Sequence, residues 1–137
     1  MSHVITAHLW FASLFFLSSI SLTIYLLAMK KKCGIFTQLP AKIIFYTELT
    51  LSGIVPLLGL WIVIGQSFWM KFPNFHYKLT LAILSIGLIH WANAKMRKAC
   101  KAESSSFNFI LFLRVSALIL LALAYNLGLT LLPYSLK

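Results

Sequence analysis

Acidic residues are scarce in this sequence. Its 137 residues include 2 Asp or Glu against 12 Lys or Arg, and only 10% of all residues are charged. Soluble domains carry about 25% charged residues. Because the deficit runs along the whole length and the mean hydropathy is +0.91, the composition excludes a soluble domain with one anchor. It predicts a single integral membrane domain over residues 1–137.

Nucleic-acid binding is excluded as well, although the net charge is +10. The basic residues are confined to short segments between apolar runs, a distribution that orients membrane proteins and offers nucleic acid no accessible basic domain. No Lys or Arg precedes Lys30, so the charged leading segment of a cleavable signal peptide is missing.

Four apolar runs are each long enough to cross about 30 Å of hydrocarbon. They lie at about residues 4–29, 42–66, 76–95 and 107–132. Lipid cannot satisfy backbone polar groups, so each run is predicted to be a helix, and Pro40 and Pro73 are read as breakers between helices. Short connections make consecutive helices antiparallel neighbours. The sequence therefore predicts an all-α integral membrane protein, an antiparallel bundle of four transmembrane helices.

The basic residues predict the orientation of this bundle. The first connection with Lys42, together with the third connection, carries eight Lys or Arg, whereas the second connection and the C-terminus carry two. Positive segments stay in the cytoplasm, so both termini are expected on the outer side of a bacterial inner membrane, with Trp69 in the outer interfacial belt. Cys33 and Cys100 then lie in a reducing compartment and are predicted to be free thiols.

Ionisable residues at the inner depth are Glu48, His90 and Arg114. Glu48 and Arg114 lie at matching depth on helices that both start from the cytoplasmic side. Since an unpaired charge there costs several kcal/mol, we expect an ion pair, with a proton or substrate role for Glu48 as the alternative. His90 is either a hydrogen-bonded core histidine or a ligand or proton relay.

The outer layer contains His3, His8, His76 and Lys78. Neutral imidazole is a common ligand of haem iron, and facing helices of a bundle hold the macrocycle, so the three histidines are candidate cofactor-binding residues. His3 and His76 are the candidate metal ligands, with solvated interfacial histidines as the alternative. On one helix, Lys78 lies about 200° round from His76, and His8 about 140° from His3. His76 and Lys78 therefore lie on different faces of their helix, and His3 and His8 lie on different faces of theirs.

Three segments resemble a known family, the HemJ-type protoporphyrinogen IX oxidases, over residues 3 to about 101. They are His3 followed seven positions on by Trp10-Phe11-Ala12-Ser13-Leu14-Phe15, then Gly59-Leu60-Trp61, and then His76-Tyr77-Lys78-Leu79-Thr80 with His90 and the basic exit Lys95-Met96-Arg97-Lys98. Members of that family are small membrane proteins with haem b that oxidise protoporphyrinogen IX to protoporphyrin IX.

The resemblance implies a role for each candidate residue. His3 is expected to be an axial ligand of haem b, and Lys78 a second ligand or a cation that steers the propionates. His76 is a competing ligand, and Glu48 and His90 are candidate acceptors for the released protons. The expected partners are membrane lipid and a porphyrin or haem, and the expected activity is an oxidoreductase step of porphyrin biosynthesis.

Two other hypotheses remain open at this point. The family carries an Asn-Glu-x-Pro motif in its fourth helix, where this chain reads Leu113-Arg114-Val115-Ser116. This difference favours a non-catalytic accessory subunit of a larger membrane complex. The expected protein partner is then that complex or a second copy of this chain. A copper-handling protein of the CopD-like superfamily is the third hypothesis, and it is disfavoured because the methionines are scattered and form no cluster of soft ligands.

The charge distribution generates a topology prediction. A reporter enzyme that is active only outside the cytoplasm, fused after Lys137, should be active, since the eight basic residues hold the first and third connections inside. A fluorescent protein that matures only in the cytoplasm is the matched control and should stay dark. A dark reporter enzyme with a bright fluorescent fusion would reverse the predicted orientation.

Overall fold

Four long helices dominate the computed structural model, which describes residues 2–29, 34–100 and 107–135. The helices are α1 (Ser2–Met29), the short α2 (Gly34–Thr37), α3 (Leu39–Gly65), a 3-10 turn (Ser67–Lys71), α4 (Pro73–Ala99) and α5 (Phe107–Ser135). Helices α1, α3, α4 and α5 are each long and apolar enough to cross a membrane. The predicted all-α, four-helix, multi-pass membrane protein is confirmed. Residues 30–32, Cys33, Lys101 and Lys137, which enter the orientation prediction, lie outside the described residues.

Two prolines begin helices instead of separating them. Helix α3 begins at Leu39 with Pro40 in its first turn, and α4 begins at Pro73, each about one turn earlier than the sequence predicts. The first N–H groups of a helix have no partner within the helix, so a proline there loses no hydrogen bond. Helix α4 also continues to Ala99, past the predicted end at residue 95.

The long helices pack as two pairs, α1 on α3 and α4 on α5, and contact between α1 and α5 joins the pairs. Hydrogen bonds between side chains or to a backbone carbonyl tie neighbouring helices at mid-depth: Ser13 Oγ with Tyr125 Oη at 2.8 Å, Ser85 Oγ donating to the Ala117 carbonyl at 2.9 Å, and Ser52 Oγ with His90 Nε2 at 3.1 Å. Such bonds and small residues replace the hydrophobic effect as the source of helix association in lipid.

The Cys100 thiol is not free. Cys100 is disulfide-bonded, so the prediction of a free thiol at this position is wrong. The chain has 2 cysteines, and the other, Cys33, lies outside the described residues. The prediction used only the reducing chemistry of a compartment. That chemistry says nothing about which sulfur atoms the fold brings together.

A buried polar network joins all four long helices. The Arg114 guanidinium donates to Glu48 Oε1 at 2.5 Å, to Asn93 Oδ1 at 2.7 Å and to Thr23 Oγ1 at 3.2 Å. Asn93 Nδ2 donates to Glu48 Oε2 at 3.3 Å, which closes the ring. Each of the four side chains belongs to a residue that is 3% exposed or less. The predicted Glu48–Arg114 ion pair is confirmed.

The network predicts an asymmetry between single and double substitutions. Glu48→Gln or Arg114→Leu alone should destabilise the bundle by about 3–5 kcal/mol, because each leaves the other charge buried without its partner. The double variant Glu48→Leu with Arg114→Leu should cost less than either. Unfolding of the purified protein in mixed detergent measures all three. Equal losses in the single and double variants would contradict a formed pair.

Candidate functional site

A small cavity lies at the end of the bundle opposite the basic connections. Its volume is about 60 Å³, and its walls come from all four long helices and the 3-10 turn. The lining residues are Ile5, His8, Leu9, Gly59, Ile62, Trp69, Phe75, Lys78, Gly128 and Leu131. His8 of α1 and Lys78 of α4 are the two ionisable residues among them, and the rest of the lining is apolar. We refer to this arrangement as the His8–Lys78 site.

Two glycines make room for the ionisable side chains. A Cβ atom at Gly128 of α5 would lie 3.1 Å from Lys78 Nζ and 3.2 Å from its Cε. A Cβ atom at Gly59 of α3 would lie 3.3 Å from Cε1 of His8. A glycine lets another group approach the backbone this closely. Both α3 and α5 therefore present bare backbone to the site.

The cation of Lys78 has no carboxylate partner within residues 2–29, 34–100 and 107–135. Of the 2 acidic residues, Glu103 lies outside the described residues and Glu48 is paired with Arg114. Lys78 is only partly exposed, and His8 Nδ1 is buried with no hydrogen-bond partner among the described residues. A polar group without a partner in an apolar setting is unfavourable. The site therefore offers the positive charge of Lys78, beside the His8 imidazole, to something that the described residues do not supply.

Trp69 closes the site at the end of the bundle. It is only 6% exposed, its ring centroid lies 4.6 Å from that of Phe68, and its Nε1 donates to Gln66 Oε1 at 3.1 Å. The sequence places Trp69 in an interfacial belt, where its ring would be open to headgroups. The structure instead turns the indole inward, because the 3-10 turn folds back over the helix ends.

The structure brings His8, not His3, beside Lys78. His3 is exposed and does not line the cavity. His76 is also exposed, and its Nε2 lies 2.8 Å from the Met70 carbonyl oxygen. In the described part of the chain, no group of three or more His, Cys, Asp or Glu is placed to hold a metal ion.

Glu48 and His90, the candidate residues at the inner depth, lie away from the His8–Lys78 site. Glu48 belongs to the buried network, and His90 is exposed on α4 with its Nε2 bonded to Ser52. Ser52 follows Glu48 by one turn of α3, and His90 precedes Asn93 by three residues of α4. His90 therefore extends the network toward the surface between α3 and α4 and has no contact with the His8–Lys78 site.

Sequence reasoning missed Asn93, Gly59 and Gly128. Asn93 lies three residues after His90, so the helical period places both on one face, and that spacing could have marked it as a network member. The glycines carried a weaker signal. Glycine interrupts an otherwise large-residue helix where something approaches the backbone, but the sequence does not say what.

Comparisons of the chain with protein-family models, curated proteins and solved structures found no match. The resemblance to the HemJ-type oxidases stays a prediction. The geometry of the His8–Lys78 site is what supports a function.

Removing the charge of Lys78 is expected to stabilise the bundle, because this cation has no carboxylate partner among the described residues. Lys78→Met shortens the side chain by one atom and removes the charge, so the bundle should become more stable by about 1–3 kcal/mol. Lys71→Met is the matched control at the same end, and because Lys71 is exposed it should change stability by less than about 0.5 kcal/mol. Detergent unfolding measures both. A loss of stability in Lys78→Met would mean that the ammonium already has a stabilising partner.

Proposed function

We propose that this chain is a multi-pass protein of a bacterial inner membrane that binds the carboxylate of a membrane-soluble ligand at the His8–Lys78 site. The observation that carries the proposal is Lys78, a partly buried cation with no carboxylate partner in the described chain. A chain with 2 acidic residues does not keep such a cation cheaply. The ligand supplies the missing negative charge.

Two residues of the lining, Lys78 and His8, bind the carboxylate in different ways. The Lys78 ammonium provides the attraction, which is stronger in this apolar surrounding than in water. The His8 imidazole, which also lines the cavity, donates a hydrogen bond to the same carboxylate from a ring N–H. A cavity of about 60 Å³ accommodates a carboxylate group. The body of the ligand then lies outside the cavity, against the apolar helix surfaces.

Porphyrins are the ligand class that the resemblance indicates. They are largely apolar rings that carry propionates, so a propionate in the site and a ring against the helices match the chemistry of the lining. A whole macrocycle does not fit inside, since pockets that enclose ligands of that size measure about 300–1,000 Å³. With His3 exposed and His76 near the Met70 carbonyl, the described residues fit a propionate but do not enclose haem b. We therefore derive no redox step, and propose porphyrin binding as the function to test first.

Carboxylate recognition is tested with two forms of one porphyrin. Protoporphyrin IX should bind the purified protein in mild detergent, as measured by a shift of its absorption band, whereas its dimethyl ester should bind at least tenfold more weakly. The ester keeps the ring and loses both negative charges. Lys78→Met should reduce binding of the acid to the level of the ester, and Lys71→Met should leave the preference unchanged.

Two histidine variants distinguish a ligand site at His8, which the structure places beside Lys78, from the site at His3 that the resemblance implies. His8→Ala should weaken protoporphyrin IX binding and His3→Ala should not. The reverse result would place the ligand at the exposed His3. Equal binding of acid and ester by the wild type, or no binding of either, would reject the proposal and favour the accessory-subunit hypothesis.

A further inference from the structure

An open groove of about 520 Å³ runs along the outer face of α3, near the basic end of the bundle. It is lined by Leu39, Lys42, Ile43, Tyr46, Thr47, Thr50 and Leu51. From Lys42 to Thr50 the helix rises about 12 Å, so the groove leads from the membrane surface toward mid-depth. All of these residues except the buried Leu51 are exposed.

The mouth of the groove is positively charged. Lys42 lies in the first turn of α3, exposed, with no ion pair among the described residues. No other charged residue lines the groove. Lys42 is therefore the cation at the surface end of an otherwise uncharged channel.

We propose that this groove binds one anionic phospholipid. Its phosphate contacts Lys42, its ester oxygens accept hydrogen bonds from the hydroxyl groups of Tyr46 and Thr47, and one acyl chain follows the groove toward Thr50. The charge at the mouth and the apolar floor along Ile43 match the two ends of a phospholipid. A partner helix would bury the Lys42 charge against lipid-facing residues, whereas a lipid phosphate neutralises it at the surface. The site is independent of the His8–Lys78 site.

Retention of lipid by the purified full chain tests the proposal. Native mass spectrometry after equilibration with equal amounts of phosphatidylglycerol and phosphatidylcholine of the same acyl chains should show one retained phosphatidylglycerol in preference to phosphatidylcholine. Lys42→Gln should lower that retention about fivefold, the factor that corresponds to about 1 kcal/mol per cation near a lipid surface. Lys71→Gln, which removes an exposed cation at the other end, should change nothing.

A second variant tests the shape of the groove without changing its charge. Thr47→Trp fills the channel and should lower phosphatidylglycerol retention at least as much as Lys42→Gln does. If Lys42→Gln acts and Thr47→Trp does not, attraction to the surface charge alone is at work and the groove is overturned. Equal retention of the two lipids overturns the proposal too, as does a dimer of this chain that forms through α3 with no lipid bound.

Discussion

The ion pair between Glu48 and Arg114, with Asn93 and Thr23 bonded to it, determines how the four long helices sit against one another. In lipid, apolar side chains gain little by touching each other rather than acyl chains. A charged or amide side chain left in hydrocarbon, by contrast, costs several kcal/mol. One arrangement of the helices satisfies all four polar groups at once. The network therefore sets the depth and the rotation of each helix relative to the other three.

The two ends of the bundle differ in whether their buried charges have partners of opposite sign. Toward the basic end, the buried charges of Glu48 and Arg114 are paired, and the surrounding core is closed by side chains such as Leu22, Phe45 and Ile110. Toward the other end, glycines open the helix surfaces, and Lys78 has no carboxylate partner among the described residues. Sites of function commonly give up stability in this way. The contrast within one chain, and not the presence of a lysine in a membrane helix alone, marks the His8–Lys78 site as the place where a ligand acts.

The positions of residues along the chain were enough to predict the features that depend on depth in the membrane. The four apolar runs predicted the four helices. Glu48 and Arg114 lie at similar distances from the cytoplasmic ends of their helices, and this predicted their ion pair. Rotation about a helix axis was harder. Helix α1 is apolar on all sides, so no amphipathic face shows which of His3 and His8 turns inward. Packing against Gly59 decides it for His8. The disulfide at Cys100 and the inward turn of Trp69 likewise depend on contacts between distant segments, which no local pattern reports.

The order of residues in the network has a consequence for synthesis of the protein. Glu48 precedes Arg114 by 66 positions, and ribosomes add about 5–20 residues per second. Helix α3 is therefore complete some seconds before its partner arginine exists. The ion pair between Glu48 and Arg114 can therefore form only after α5 has been made. Until then the Glu48 carboxylate is stabilised by something other than Arg114, and the last helix made completes the polar network that the second helix begins.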